Sequence, residues 1–237
     1  MQVSSVRGEE IARFDALAAR WWEPAGPMRP LHLMNPVRAG WILDQVTRAR
    51  GSADLRILDV GCGAGLLAEA LAKGGADVLG LDAAAAAIAA AEAHAAGQNL
   101  RLAYRAGSAE ALVDEGQKFP VITALEVIEH VAEPVGFLRT LGALLEPGGL
   151  LFISTLNRTP QSLVIAKFGA EYVLRMLPVG THDWKRFVTP AELGRHCREA
   201  GLRLAETAGM SFSPLSRQFR ISRDLSINYI AMAQAAG

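Results

Sequence analysis

Two short stretches of the chain carry residue types that can do chemistry. The first reads Asp59-Val60-Gly61-Cys62-Gly63-Ala64-Gly65, with Asp82 closing the next apolar run. Glycines in such a turn permit positive φ and let a ligand approach the backbone. An acid at the end of the following strand can accept hydrogen bonds from ribose hydroxyls. Together they point to a nucleoside cofactor, although a glycine-rich turn that merely joins a strand to a helix is the plain alternative. A dinucleotide fingerprint would need glycine three positions beyond Gly63, where Leu66 stands. Asp59 would also repel a pyrophosphate, whereas it suits a cationic ligand. NAD and FAD are therefore disfavoured.

The second stretch is Glu126-Val127-Ile128-Glu129-His130. If it is helical, Glu126, Glu129 and His130 share one face, and two carboxylates and an imidazole can converge on a divalent ion. Alternatively, the glutamates complement the positive end of a following helix and His130 is an ordinary polar residue; spacing alone favours that version. Two further positions stay open. Ser108 follows the third strand where a base edge would lie, but a serine there is more often a turn or cap residue. Leu125 ends the fourth strand and could pack on the nucleoside, but a strand leucine is more often plain core.

These residues need a frame that brings strand ends together. Between 56 and 155, short apolar runs alternate with helical patterns, the signature of βαβ units and a parallel sheet covered on both faces. The fold expected is α/β and Rossmann-like, with a mostly parallel seven-stranded sheet: strands at 56–60, 76–81, 101–105, 121–125, 150–155, 202–207 and 226–232. Helices are expected at 66–73, 84–96, 134–145 (ending before Pro147-Gly148-Gly149) and 190–200, the last capped by Thr189. Residues 1–50 form an N-terminal helical cover, with helices at 8–20 and 35–50 and a turn-rich stretch at 22–30. An insert spans 156–188. The 237 residues fit one domain with these additions.

Composition narrows the class. With 51% hydrophobic and 20% charged residues the chain can bury a core. Twenty-four basic residues balance 24 acidic ones, leaving no electrostatic footprint for nucleic acid. Cys62 and Cys197 have no disulfide or zinc spacing, which fits a reducing compartment. The first ten residues are polar, and no apolar run reaches the about eighteen residues that span a bilayer, so a cytoplasmic protein is expected, with membrane contact only at its surface.

The DxGxGxG pattern with its downstream acid resembles the first two motifs of class I methyltransferases, which bind S-adenosyl-L-methionine (AdoMet). The flanks narrow the resemblance: Trp21-Trp22-Glu23-Pro24, Leu31-His32, Asn35-Pro36-Val37-Arg38, Glu126 to Val131, Ser154 to Thr159, Gly169 to Arg175, Leu177-Pro178 and Gly180-Thr181-His182-Asp183-Trp184. From about Phe14 to Met232 the sequence resembles the ubiquinone-biosynthesis O-methyltransferase family. The resemblance implies methylation of a ring hydroxyl on 2-polyprenyl-6-hydroxyphenol and on 3-demethylubiquinol. It places Arg38 on the AdoMet carboxylate, Gly61, Gly63 and Asp82 on the cofactor backbone and ribose, and Leu125 beside the base. It also implies a divalent ion, magnesium by preference, on Glu126, Glu129 and His130, contrary to what spacing alone favours. Two departures stand out. Pro120 follows Phe119 where the family commonly has Asp, removing a backbone donor, and the alanine-rich helix after Asp82 lacks the usual polar residues.

AdoMet is already activated, so the work left is alignment and deprotonation of a phenol whose pKa is about 10 by analogy with tyrosine. His130 is the expected catalytic residue, as metal ligand or general base. Residues 162–177 (SLVIAKFGAEYVLRML) have an interfacial amphipathic pattern, which suits either contact with anionic membrane lipid or a lid packed on the core. The rival functions are a class I methyltransferase for another small phenol and a non-catalytic AdoMet-binding subunit of a quinone-synthesis complex.

Overall fold

The computed structural model describes residues 17–52, 55–164, 184–213 and 215–235. The helices are α1 (Arg29–Arg50), α2 (Leu66–Lys73), α3 (Ala85–Ala95), α4 (Ala109–Asp114), α5 (Pro134–Leu144), α6 (Pro160–Val164) and α7 (Pro190–Glu199). The strands are β1 (Arg56–Val60), β2 (Asp77–Asp82), β3 (Leu102–Ala106), β4 (Phe119–Leu125), β5 (Leu145–Leu156), β6 (Leu202–Ser213), β7 (Gln218–Ser222) and β8 (Asn228–Ala235). They form one sheet in the order β3-β2-β1-β4-β5-β8-β6-β7. Strands β1 to β5 run parallel, while β8 is antiparallel to β5 and β6 to both β8 and β7.

The sheet therefore has eight strands, not seven. The strand missed is β7, whose Phe219 and Ile221 alternate with polar residues in a five-residue edge segment, too short a pattern to register as an apolar run. Strand β5 also begins earlier than expected, with Leu145 paired to Phe119 ahead of the Pro-Gly-Gly sequence. The register shifts between Phe119 and Val121, which is the local disturbance expected from Pro120.

Buried on both faces, the central strands send alternate side chains to two apolar layers. Leu58, Ile122, Leu151 and Ile153 pack with Phe137, Leu138, Leu141 and Leu193. Ile57, Val121, Leu150 and Phe152 pack on the opposite face with Ile42, Val46 and Leu71. Trp41 meets Phe152 edge-on, at 5.7 Å between centroids, tying α1 to the sheet centre. Helix α1 begins inside the stretch expected to be turn, because a proline is tolerated in its first turn, and it ends on Gly51 at φ 77°. Thr189 and Glu192 form the reciprocal cap that opens α7. Of the expected helix at 8–20, only its last residues are described, with a 3-10 turn at Ala18–Arg20. The amphipathic stretch 162–177 lies almost wholly outside the described residues. No helix among those described is long and apolar enough to cross a membrane.

Candidate active site

The carboxyl ends of β1, β2 and β4 bring both chemical stretches to one edge of the sheet, where ligands bind in open α/β folds. After β1 the chain turns through Gly61, Gly63 and Gly65, at φ 72°, 53° and 88°. Added side-chain carbons would collide with Val127 at Gly61, Trp21 at Gly63 and the Tyr104 hydroxyl at Gly65. Gly61 and Cys62 donate backbone N–H bonds to the Leu81 carbonyl at 2.8 and 3.2 Å, pinning the turn to the end of β2. Asp82 completes the attachment. One carboxylate oxygen accepts from the Gly63 N–H and the other from the Ala84 N–H, each at 2.8 Å. A carboxylate oxygen can accept more than one hydrogen bond, so the group that shapes the loop is also chemically able to receive ribose hydroxyls. Asp82 thus both shapes the loop and presents acceptors beside it.

Asp59, at the base of the loop, is buried and accepts a 2.7 Å bond from the Thr123 hydroxyl through one oxygen, while the other has no hydrogen-bond partner. Burial, with the Asp82 charge adding to it and the Thr123 bond opposing, pushes its carboxyl up to about 7. Leu125 ends β4 half-buried, packed against the apolar layer around Val121 and Phe152. Ser108 settles as a helix cap: its hydroxyl accepts from the Ala111 N–H at the start of α4.

The segment 126–130 is a turn rather than a helix, so the helical face expected for Glu126, Glu129 and His130 does not form. Glu126 sits at φ 57°, a conformation that breaks helical periodicity at its first member. Its Oε1 accepts from Arg38 at 2.6 Å and from the Ser154 hydroxyl at 2.7 Å. Arg38 is buried, and its Nε has no partner. The residue expected on a cofactor carboxylate is therefore joined directly to a residue expected on the metal. These positions lie 88 apart in sequence, and no local pattern announces the pair.

Glu129 is buried; its carboxylate makes no hydrogen bond of good geometry, but the Thr155 and Glu126 side chains lie against it. Burial, and next the nearby Glu126 charge, raise its carboxyl well above the ordinary range. The two neighbouring carboxylates share one guanidinium, Arg38 on Glu126, and the raised Glu129 carboxyl relieves their repulsion by holding a proton. The three residues do not come together as a ligand set: among the described residues no three His, Cys, Asp or Glu side chains gather into a metal-binding group. His130 is half-buried on the last turn of the segment, its N–H bonded to the Val127 carbonyl.

Sequence reasoning gave Trp21 and Trp22, in the N-terminal cover, no role at this site. Trp21 lies against Gly63, and the Trp22 indole donates to the Ala64 carbonyl at 2.9 Å. Two adjacent tryptophans just ahead of a helix were the available signal.

A family model described as a methyltransferase domain matches residues 37–207. The chain is 47% identical over 241 residues to the "Ubiquinone biosynthesis O-methyltransferase" of Azorhizobium caulinodans, covering 98% of this chain and 95% of that protein. It is 48% identical, with the same coverage, to the protein of that name from Parvibaculum lavamentivorans. Among solved structures, magnesium protoporphyrin IX methyltransferase from Synechocystis PCC 6803 with bound SAH superposes with a TM-score of 0.62 at 21% identity, over 95% of this chain and 99% of that one. The CcbJ methyltransferase from Streptomyces caelestis gives 0.64 at 19%, over 94% and 96%. At these identities the structures establish the class I methyltransferase fold.

Proposed function

The chain belongs to the ubiquinone biosynthesis O-methyltransferase family, and from that premise we propose that it transfers the methyl group of AdoMet to a ring hydroxyl of 2-polyprenyl-6-hydroxyphenol and of 3-demethylubiquinol. The observation that carries the cofactor half is the loop itself: three positive-φ glycines held by Asp82, with Asp59 buried beneath. Asp59, 2% exposed and pushed up to about 7, is partly ionised near neutral pH, and its negative charge adds to that of Asp82 beside the loop. A sulfonium cofactor is favoured over a pyrophosphate in such surroundings. In this reading Asp82 receives the ribose, the Gly61 and Gly63 backbone lies along the cofactor, Leu125 packs beside the base, and Arg38 turns its remaining donors to the carboxylate.

Methyl transfer is an in-line displacement: the acceptor oxygen attacks the methyl carbon, the sulfonium leaves as a neutral thioether, and the hydroxyl proton must go to a base. The protein therefore has to align two reactants, exclude water and hold a proton acceptor at the oxygen. His130, on the turn that follows β4, is that acceptor in this proposal. Glu126 fixes the turn through Arg38 and Ser154. In the alternative form of this reading a divalent ion, magnesium by preference, would be held by Glu126, Glu129 and His130, with His130 a ligand instead of the base; when bound it would lower the pKa of the acceptor hydroxyl. What supports it is the placement of two carboxylates, Glu126 and the buried Glu129, on the turn that also carries His130.

The polyprenyl substrate makes anionic membrane lipid the expected surface partner. Besides the stretch at 162–177, support comes from the β6–β7 hairpin, where Leu215 is 98% exposed and Phe212 46%. Arg217, Arg220 and Arg223 are exposed nearby. The deciding experiment is methyl transfer from labelled AdoMet to a reduced short-chain demethylubiquinol analogue, with magnesium and with EDTA. Metal-dependent methoxy product is expected. Product formation that EDTA leaves untouched would remove the ion from the reading, and AdoMet binding without product would leave a different acceptor or a scaffold role.

A further inference from the structure

The segment ahead of α1 is fastened to the glycine loop by contacts that the roles assigned above do not use. Trp21 is 5% exposed, and its ring occupies the space beside Gly63 that a side chain would fill. Its carbonyl accepts from His32 Nε2 at 2.9 Å. Trp22 donates from its indole nitrogen to the Ala64 carbonyl, in the middle of the loop. Asn35, on α1, donates to the Leu66 carbonyl at 2.7 Å, just past the loop. Trp21, Met28, Ala64 and Leu66 form an apolar cluster of their own, separate from the two main layers.

The outer face of Trp22 is held in turn. It stacks on His94 of α3 with centroids 3.4 Å apart and planes 4° from parallel. His94 Nδ1 bonds to Glu69 Oε1 at 2.6 Å. Glu69 is 1% exposed, in the first turn of α2, and its other oxygen accepts from Lys73 and Gln98, each at 3.1 Å. A buried carboxylate with three donors is a fixed point, and it fixes the imidazole on which Trp22 lies. The chain of contacts runs from the helix after the loop, through His94 and Trp22, back to the loop itself.

We propose that Trp21 and Trp22 form a clamp that holds Gly63-Ala64 in the conformation receiving AdoMet, with His94, set by Glu69, as its anchor. Trp22 and His94 are thus positioning residues for cofactor binding. The proposal rests on the reading that this loop holds AdoMet. A clamp acts by preorganisation: cofactor affinity falls in proportion to the fraction of molecules in which the loop is correctly held. The indole hydrogen bond and the stack are both lost in Trp22→Ala, which should raise the AdoMet Kd by roughly three- to tenfold. The kcat at saturating AdoMet and the KM for the acceptor should stay at wild-type values.

The test is titration calorimetry with AdoMet, together with steady-state kinetics, on wild type, Trp22→Ala, Trp22→Phe, His94→Ala and His94→Phe. Phenylalanine at 94 keeps an aromatic surface under Trp22, so it should restore most of the affinity lost in His94→Ala. Phenylalanine at 22 keeps the stack but not the donor and should fall between wild type and Trp22→Ala. Should Trp22→Ala fail to fold, the His94 pair carries the same comparison on a side chain that is 37% exposed. A purely structural role predicts a lower Tm with AdoMet Kd unchanged in every variant, and that result would overturn the clamp. Failure of wild type to bind AdoMet would instead overturn the cofactor reading, and the clamp with it.

Discussion

Asp59→Asn tests the electrostatics of the glycine loop through stability alone. The wild-type carboxyl ordinarily titrates at 3.8 and is pushed up to about 7 in the folded protein. A raised pKa means the native state holds a proton that the unfolded state releases, so the group's contribution to stability is complete below pH 3.8 and is lost as pH rises through 7. At about 1.4 kcal/mol per pH unit the full loss is at most about 4 kcal/mol. Asparagine cannot ionise and keeps an oxygen for Thr123. Its amide nitrogen takes the place of the oxygen that has no hydrogen-bond partner, at a cost of about 1–3 kcal/mol that does not vary with pH. The diagnostic quantity is therefore the change in the difference between the two proteins, measured by urea unfolding from pH 5 to 8. Wild type should lose about 2–3 kcal/mol relative to Asp59→Asn between pH 5 and 7 and then level off. A difference that stays flat across the whole range would refute the argument that burial holds a proton on Asp59.

Other perturbations probe the remaining contacts. Arg38→Met breaks a pair whose side chains are 6% and 22% exposed, leaving Glu126 held by Ser154 alone; a loss of about 2–3 kcal/mol in urea unfolding and an AdoMet affinity at least about tenfold weaker by calorimetry are expected. Gly63→Ala combines φ 53° with overlap against Trp21 and should cost about 1–3 kcal/mol, visible as a lower Tm and weaker AdoMet binding. In vesicle flotation, wild type should bind anionic rather than neutral vesicles, and Leu215→Glu combined with Arg217→Ala and Arg220→Ala should bind about tenfold or more weakly. Unchanged flotation of that variant would remove the hairpin as the contact and leave the 162–177 stretch to account for it.

The sheet was legible because its central strands are buried on both faces and read as short, largely apolar runs; RILDV and LLFIST needed no tertiary information. The glycine loop was legible for a related reason, since positive φ and a close neighbour exclude most residues, and both conditions hold at Gly61, Gly63 and Gly65. Strand β7 was not legible, being a half-exposed edge whose partner β6 supplies the pairing that its own five residues cannot. The start of α1 was obscured by Pro30, which closes the turn-rich stretch yet sits in the first helical turn, so that Pro36, expected at the helix start, lies inside it. The pairings across the site, Arg38 with Glu126 and Trp22 with His94, join residues far apart in sequence, and a single sequence contains no trace of such contacts.

Glu126 shows why the condition of a helix over 126–130 is not met. A helix there requires the chain to leave β4 directly into helical dihedrals, yet Glu126 adopts φ 57°, which a residue with a Cβ enters at a cost of about 1–3 kcal/mol. Three contacts hold it there: its N–H on the Ser154 carbonyl at 3.0 Å, and its carboxylate between Arg38 and the Ser154 hydroxyl. Strain at a strand end, held by an ion pair to the cover helix, is what links the two halves of the site. The same carboxylate faces the arginine expected on the cofactor and lies near the buried Glu129 expected on the cation. A change at either side is therefore felt through Glu126. Glu126→Gly separates its two duties, since glycine relieves the dihedral cost but abandons Arg38. If the side chain matters more than the strain, Glu126→Gly should weaken AdoMet binding as much as Glu126→Ala while unfolding at higher urea. Equal stability of the two variants would show that the left-handed conformation carries no measurable strain.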